Sequence, residues 1–373
     1  MNTQAFKKII LEAPTFRKRG QIHGEMLRGL IIEHQTRWEE DVVRSTGLHP
    51  DAYLDGLLNE TNFMPAIERW TPFLLEEVRG MAEGANIDFR YMFARQLSDE
   101  EPWYRAEKKL PQTRGRGCSS IGRDASDDDV TMIGQNMDTP TWYDGHQFLF
   151  HHKGPDLAAE VMSFSLAGKL NLCGMNSHGL AVCCNSLTQL DYSRNGLPED
   201  FVVRGFLAQH SLKDGLAFMH DIEHASGQNY TVAGKGSRAI NLEVSAKSIA
   251  EYQLSSEADR VFHTNHPFRN TDHSIQTAQV AAGQAVPGSV STKPRYQELA
   301  ARFSDKATPV TIEHMKAAFS SHKGPICRHP DDGSNAITLG CIIMELGEKP
   351  LMHLAPGTPC TTPFKTYQFE EDG

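Results

Sequence analysis

Along the first hundred positions apolar residues recur at spacings of three and four. Leu27, Ile31, His34, Trp38 and Val42 follow this rhythm, and Leu74, Val78 and Met81 repeat it. Residues 1 to about 100 are therefore expected to be mostly helical, each helix with one apolar face. Gly84 marks the expected end of the second helix, and Asp88 the cap of the next. The rhythm stops between Tyr104 and Gly117, where Arg105, Lys108, Lys109, Arg114 and Arg116 oppose only Glu107, and Pro111, Gly115 and Gly117 break regular structure. A basic, exposed loop is expected there, the kind of segment in which a chain can be bent and cut.

After Cys118 the period changes to two. Met162, Phe164 and Leu166 alternate with Val161, Ser163 and Ser165, as in a strand with two distinct faces. Residues 170 to 187 read as a hairpin turning at Asn176-Ser177-His178-Gly179. The polar stretch 188 to 199 is expected to be a loop bordering a pocket. Helical spacing returns over 199 to 223, and short strands follow near 229–233, 238–244, 248–254 and 261–265. Two more helices are expected near 293–303 and 311–321, then strands near 336–345 and 350–354. Runs of strands, then helices, then strands point to an α+β protein of stacked layers with antiparallel sheets, not an alternating parallel sheet.

Composition narrows the function. The chain has 373 residues and a formal charge of -10, which argues against nucleic acid, since phosphate contact requires a concentrated basic surface. No apolar run approaches the roughly 20 residues that span a bilayer, and residues 1–8 carry no secretory signal pattern. Seven scattered cysteines suggest no disulfide framework, so a cytoplasmic location is expected. Cys173, Cys183, Cys184 and Cys341 lie in apolar, strand-like surroundings and are expected in the core. His263 with His266, and His151 with His152, lack a thiol or carboxylate at ligand spacing, so no metal is expected, and no cofactor is implied.

The pair Gly117-Cys118 carries the chemistry. A thiol beside a glycine can attack the preceding carbonyl and shift the acyl group from nitrogen to sulfur, after which water hydrolyses the thioester. Glycine tolerates strained backbone angles and leaves its carbonyl open. The freed α-amino group has an intrinsic pKa of about 7.7–8, close to the thiol's about 8.5. One residue then supplies both nucleophile and general base.

Downstream stand Gly134-Gln135-Asn136-Met137-Asp138, Asn176 to Asn185, His263-Thr264-Asn265-His266 and Pro325-Ile326-Cys327-Arg328. In that order these segments resemble the acyl-coenzyme A:6-aminopenicillanic acid acyltransferase family of self-cleaving N-terminal-nucleophile hydrolases and, more distantly, the bile salt and penicillin V acylases. The resemblance implies cleavage between Gly117 and Cys118, with Cys118 as nucleophile. Asp138 and Arg328 match residues that hold the new amine and thiol. Asn265 matches the side-chain donor of the oxyanion hole, Asn185 the backbone donor that completes it, and Asn136 a supporting position. Members commonly carry an Asn-x-Arg-x-Glu motif in the first fragment; the corresponding stretch here is Gln96-Leu97-Ser98-Asp99-Glu100, with Ser98 in place of the arginine.

The implied fold is a four-layer αββα sandwich, made of a helical fragment 1–117 and a catalytic fragment 118–373 that stay associated. The implied function is an amidase taking an acyl group from the C–N bond of a small N-acyl compound through a Cys118 thioester. Transfer of that group to an amine is the alternative, and a non-catalytic binding protein on the same fold is a third. The acyl group, the amine and the oligomeric state, a homo-oligomer included, are left open.

Overall fold

The structure is a computed structural model that describes residues 6–111, 117–126, 129–255, 258–274, 289–330 and 336–369. The first part of the chain is helical after one strand: β1 (Lys8–Glu12), then α1 (Phe16–Thr46), α2 (Pro50–Asn59), α3 (Met64–Trp70), α4 (Pro72–Ala85), α5 (Phe89–Arg95) and α6 (Glu101–Glu107). Nine strands and two helices follow: β2 (Gly117–Arg123), β3 (Met132–Pro140), β4 (Gln147–Lys153), β5 (Val161–Leu166), β6 (Cys173–Asn176), β7 (Leu180–Ser186), α7 (Glu199–Leu207), α8 (Leu212–Asp221), β8 (Gln228–Gly234), β9 (Ile240–Val244) and β10 (Ile249–Tyr252). The chain ends with β11 (Arg260–His263), α9 (Ser289–Phe303), α10 (Ile312–Phe319), β12 (Ala336–Glu345), β13 (Leu351–Ala355) and β14 (Lys365–Gln368). No helix among the described residues is long and apolar enough to cross a membrane.

The strands form two sheets, in the orders β1-β4-β5-β6-β7-β8-β9-β10 and β11-β2-β3-β12-β13-β14. Three apolar clusters define the layers. Ile31 and Val78 of the first helices, with Phe201 of α7, pack on Val182 and Val232 of the first sheet. Ile133, Met137 and Ile342 of the second sheet meet Phe164, Met175 and Cys183 of the first. Leu299, Phe303, Met315 and Phe319 of α9 and α10 cover Ile121, Phe262 and Ile343 on the outer side of the second sheet. The order is helix, sheet, sheet, helix, the α+β sandwich expected.

Covering both faces of both sheets changes how the strands read. The six residues of β5 are all buried, so Ser163 and Ser165 do not face water. Serine is tolerated there because its hydroxyl finds a partner: Ser165 donates to Lys169 O at 3.1 Å, and Ser163 meets His152 Nε2 at 3.2 Å. The hairpin turn at Gly179, with φ 77°, lies where the pattern placed it.

Three local expectations are corrected. Strand β1 interrupts the helical stretch and pairs in parallel with β4, from Lys8 opposite Leu149 to Glu12 opposite Lys153. The basic loop begins later than expected, because α6 contains Arg105, whose side chain is 1% exposed and lies 3.0 Å from Glu101; Arg114, Gly115 and Arg116 lie outside the described residues. Asp88 does cap α5, accepting from Arg90 N at 2.8 Å, but Gly84 does not end α4, which closes at Asn86 in the left-handed conformation with φ 57°.

Gly84 serves packing instead. With Gly80 it faces Gly20 and Gly24 of α1 so closely that a Cβ on Gly80 would lie 2.0 Å from Arg17 O, and one on Gly84 2.1 Å from Gln21 O. Gly29, on the exposed side of α1, meets nothing within 4 Å. Gly80→Ala is therefore expected to lower stability by about 1–3 kcal/mol through overpacking. Gly29→Ala should raise it by roughly 0.5–1 kcal/mol, and thermal unfolding of the two variants checks the opposite signs.

Candidate active site

Gly117 opens β2, directly opposite Asp138 of β3, and Cys118 stands opposite Met137. Gly117 is not among the glycines with positive φ, so freedom of its backbone angles is not the reason for it. Space is: a Cβ would come within 3.2 Å of both Arg295 Nη2 and Asp138 Oδ2.

The main chain of Cys118 is held on both sides. Its N–H donates to Asn265 Oδ1 at 2.8 Å, and Arg295 Nη1 donates to its carbonyl. Arg295, fully buried, also donates to Asn265 Oδ1 at 2.7 Å and to Ser119 Oγ at 3.1 Å. Two donors converge on Asn265 Oδ1, which fixes the orientation of that amide. Its Nδ2 donates to Ser186 O at 3.0 Å and retains a second hydrogen. The loop carrying Asn265 is seated on the first turns of α9, where Thr292 Oγ1 accepts from Asn265 N at 2.7 Å.

Asp138 is fixed from its other side. Arg328 Nε lies 3.1 Å from Asp138 Oδ2, and Thr338 Oγ1 donates to Oδ1 at 2.8 Å. The same hydroxyl accepts from Arg328 N at 2.8 Å, so one threonine ties both partners. Asn136, one residue before Met137, donates to Phe319 O at 2.8 Å and Ile326 O at 3.1 Å. It thereby steadies the segment leading to Arg328 and does not face Cys118. The Asn185 side chain sits in a buried network between the sheets, accepting from Ser120 Oγ at 2.9 Å and Asn229 Nδ2 at 3.0 Å.

Gly117, Cys118, Asp138 and Asn265 share the wall of one cavity of about 140 Å³. Trp38, Tyr91 and Tyr143 supply aromatic surface, while Ser98, Asp99, Lys169 and Glu199 supply polar groups. Residues from before and after Gly117 thus both line it. Lys169 Nζ donates to Ser98 Oγ at 3.0 Å and to Asp200, so a cation stands beside Ser98.

Burial governs the ionisation here. It pushes the Cys118 thiol up to about 12, aided by Asp138 and opposed by Arg295 and by a hydrogen bond from Gln135. Burial, then the neighbouring Asp200, holds Glu199 well above the usual carboxylate range; Glu199 Oε1 accepts the Cys184 thiol at 3.0 Å. Burial also works against the Lys169 ammonium, yet Asp200 and Glu199 raise it overall. Arg295 is brought down to about 10 by burial, still charged near neutral pH.

Arg295 and Gln135 were not singled out as site residues. A buried arginine in the first half of an amphipathic helix has no sequence mark that separates it from a solvated one. The histidine pairs serve structure. His263 Nε2 meets Glu243 at 2.8 Å, and that carboxylate also accepts from the main chain of Phe268, Arg269 and Asn270 at 2.7, 2.8 and 2.8 Å. His151 pairs with Glu160 at 2.7 Å.

Comparison with known proteins adds a family. The family model described as acyl-coenzyme A:6-aminopenicillanic acid acyl-transferase matches residues 125–350. Among solved structures, a Caenorhabditis elegans N-acylethanolamine-hydrolyzing acid amidase ortholog is similar at 14% identity, covering 67% of this chain and 99% of that one, with a TM-score of 0.43. A variant of conjugated bile acid hydrolase from Clostridium perfringens is 12% identical over 68% of this chain and 97% of that one, with a TM-score of 0.45. Penicillin V acylase from Agrobacterium tumefaciens is 13% identical over 67% of this chain and 85% of that one, with a TM-score of 0.37. No curated protein matches.

The carboxylates beside the cavity make stability depend on pH. Glu100 is raised from 4.5 to about 8 by burial first and by Asp99 second. In the folded chain it keeps its proton over a range where the unfolded chain loses it. Its contribution is therefore full below about pH 4.5 and is lost as pH rises towards about 8. Its Oε1 accepts from Glu199 N at 2.9 Å and Ser226 Oγ at 2.8 Å, contacts that a glutamine keeps. Glu100→Gln should flatten the loss of stability between those pH values by on the order of a few kcal/mol, as read by denaturant unfolding across pH.

Proposed function

This chain belongs to the acyl-coenzyme A:6-aminopenicillanic acid acyl-transferase family, and from that premise we propose that it cuts its own Gly117–Cys118 bond and then hydrolyses the amide of a small N-acyl compound with Cys118 as nucleophile. The observation that carries this reading is the clamp on Cys118. Its N–H is held by Asn265 and its carbonyl by Arg295, on the wall of a cavity that also exposes Gly117 and Asp138.

In the first step Cys118 Sγ bonds to the Gly117 carbonyl carbon. The C–N bond breaks, the nitrogen takes up the thiol proton and becomes an α-amino group, and water hydrolyses the thioester to free the thiol and the Gly117 carboxylate. In the uncut chain the thiol sits near pKa 12, so thiolate is scarce. The cut supplies an amine of intrinsic pKa about 7.7–8 on the same residue, which then accepts the thiol proton in each later cycle. Asp138, contacted by Thr338 and Arg328, lies opposite Gly117 across the ladder, which supports the reading that it receives hydrogen bonds from that amine. Asn265 Nδ2 and the Asn185 main-chain N–H are the donors assigned to the oxyanion.

The fragments are built to stay together. The first contributes β1 to the first sheet, and Glu77 of α4 pairs with buried Arg204 of α7 at 3.1 Å. His34, Trp38 and Tyr91 of the first fragment face Leu166 and Leu172 of the second across the cavity, a lining suited to an apolar acyl group. The odd, scattered set of seven cysteines supports a reducing compartment, and we assign the cytoplasm. The family's description as an acyl-transferase favours a second reading, in which an amine replaces water as the acceptor.

Intact-mass measurement of the 41.5 kDa chain should give two pieces, the larger having 373 − 117 = 256 residues and beginning Cys-Ser-Ser-Ile. A single uncut chain would instead favour a binding protein on this fold. Cys118→Ala should remain one chain and be inactive; cleavage at the same bond in that variant removes the thiol from the mechanism. In the cleaved enzyme Asn265→Ala should lower turnover by roughly 10²–10³, and an unchanged rate excludes it as an oxyanion donor. Adding candidate amines and measuring conjugate against free acid separates transfer from hydrolysis.

A further inference from the structure

Around the segment that carries Arg328, four side chains converge that the catalytic reading does not use. His322 and Cys327 come from the segment after α10, His329 from the approach to β12, and Cys360 from the turn between β13 and β14. Their donor atoms all lie within 4.8 Å of one another. Cys327 Sγ and Cys360 Sγ are 3.5 Å apart, and His322 Nε2 and His329 Nε2 are 3.2 Å apart. His329 Nε2 is 3.1 Å from Cys360 Sγ and 3.9 Å from Cys327 Sγ.

These separations are those of a small tetrahedron. Zinc–sulfur bonds of about 2.3 Å and zinc–nitrogen bonds of about 2.05 Å at tetrahedral angles give edges of about 3.8 Å between sulfurs, 3.3 Å between nitrogens and 3.6 Å between unlike donors. Four edges, 3.5 Å between sulfurs, 3.2 Å between nitrogens and 3.1 and 3.9 Å from His329 to the two sulfurs, lie within about 0.5 Å of those values, and the two from His322 to the sulfurs are no longer than 4.8 Å. A disulfide, by contrast, brings its sulfurs to about 2.05 Å. Two thiolates and two imidazoles form a donor set that selects zinc among common divalent ions, and four protein donors leave no position open for substrate.

We propose that His322, Cys327, His329 and Cys360 form a structural zinc site. The ion clips the connection between α10 and β12 to the turn beyond β13, a side-chain link added to the pairing of β12 with β13. Arg328 lies between two of the ligands, so the same ion fixes the backbone from which its guanidinium reaches Asp138. The assignment does not depend on self-cleavage or on the substrate. The motif was hidden because its members span 322 to 360 and include no C-x-x-C pair.

The test is the metal content of the full-length protein, purified from zinc-supplemented cells without chelator and measured by elemental mass spectrometry. About one zinc per chain is expected, falling at least severalfold in Cys360→Ser and in His322→Ala and unchanged in His220→Ala, an exposed histidine elsewhere. Cobalt substitution should give tetrahedral d–d bands with thiolate-to-metal charge transfer, and stripping the wild-type protein should lower its Tm, restored by added zinc. Substoichiometric zinc in the wild type would overturn the assignment even if the variants fail to fold. Full zinc retained by Cys360→Ser, or a Cys327–Cys360 disulfide in a non-reducing peptide map, would overturn it as well.

Discussion

The structure is arranged around one residue, Cys118, whose main chain is held on both sides. The N–H of Cys118 is held by a side-chain amide, its carbonyl by a buried guanidinium, and amide and guanidinium are bonded to each other. A buried charge costs several kcal/mol unless hydrogen bonds replace its water. Arg295 meets that cost with the Cys118 carbonyl, Ser119 Oγ and Asn265 Oδ1, and with the favourable field of Asp138. Every one of those partners lies at the start of β2 or beside it. The arrangement therefore constrains the backbone of Cys118 and the arginine at once.

That constraint explains why elements distant in sequence must meet. Helix α9 supplies Arg295 and Thr292, the loop after β11 supplies Asn265, and β12 supplies Thr338, which fixes Asp138 and Arg328. Gly117 lies against both Asp138 and Arg295, where a Cβ would be crowded at 3.2 Å from each. Burial, the same feature that positions the Cys118 thiol, also pushes its pKa up.

The four layers have a second effect. Because helices cover the outer faces of both sheets, the helical first part of the chain is a wall of the cavity as well as a covering for the core. Trp38 and Tyr91 of that part and Leu172 and Lys169 from beyond Cys118 line the same space. Glu100 accepts from the Glu199 main chain, and Asp200 pairs with Lys169. The chemistry of the cavity is thus set jointly by both parts of the chain.

Much of this was legible in the order of residues. Period-three-and-four spacing located α1 and α4, Asp88 located the start of α5, Gly179 the hairpin, and the layered class followed from strands and helices occurring in runs. Gly117, Cys118, Asp138 and Asn265, singled out along the chain, do share one cavity wall. What the order of residues could not contain was proximity. Strand β1 is a strand because β4 offers it an edge, and Gly80 and Gly84 are glycines because α1 lies against them. Ser163 and Ser165 alternate like a solvated face yet are covered by helices. Arg295 and the His322–Cys360 cluster depend on partners tens or hundreds of positions away. Local patterning records how one segment divides between water and the interior, whereas hydrogen bonds to a buried charge and the edges of a donor tetrahedron exist only once separate segments have been brought within a few ångströms.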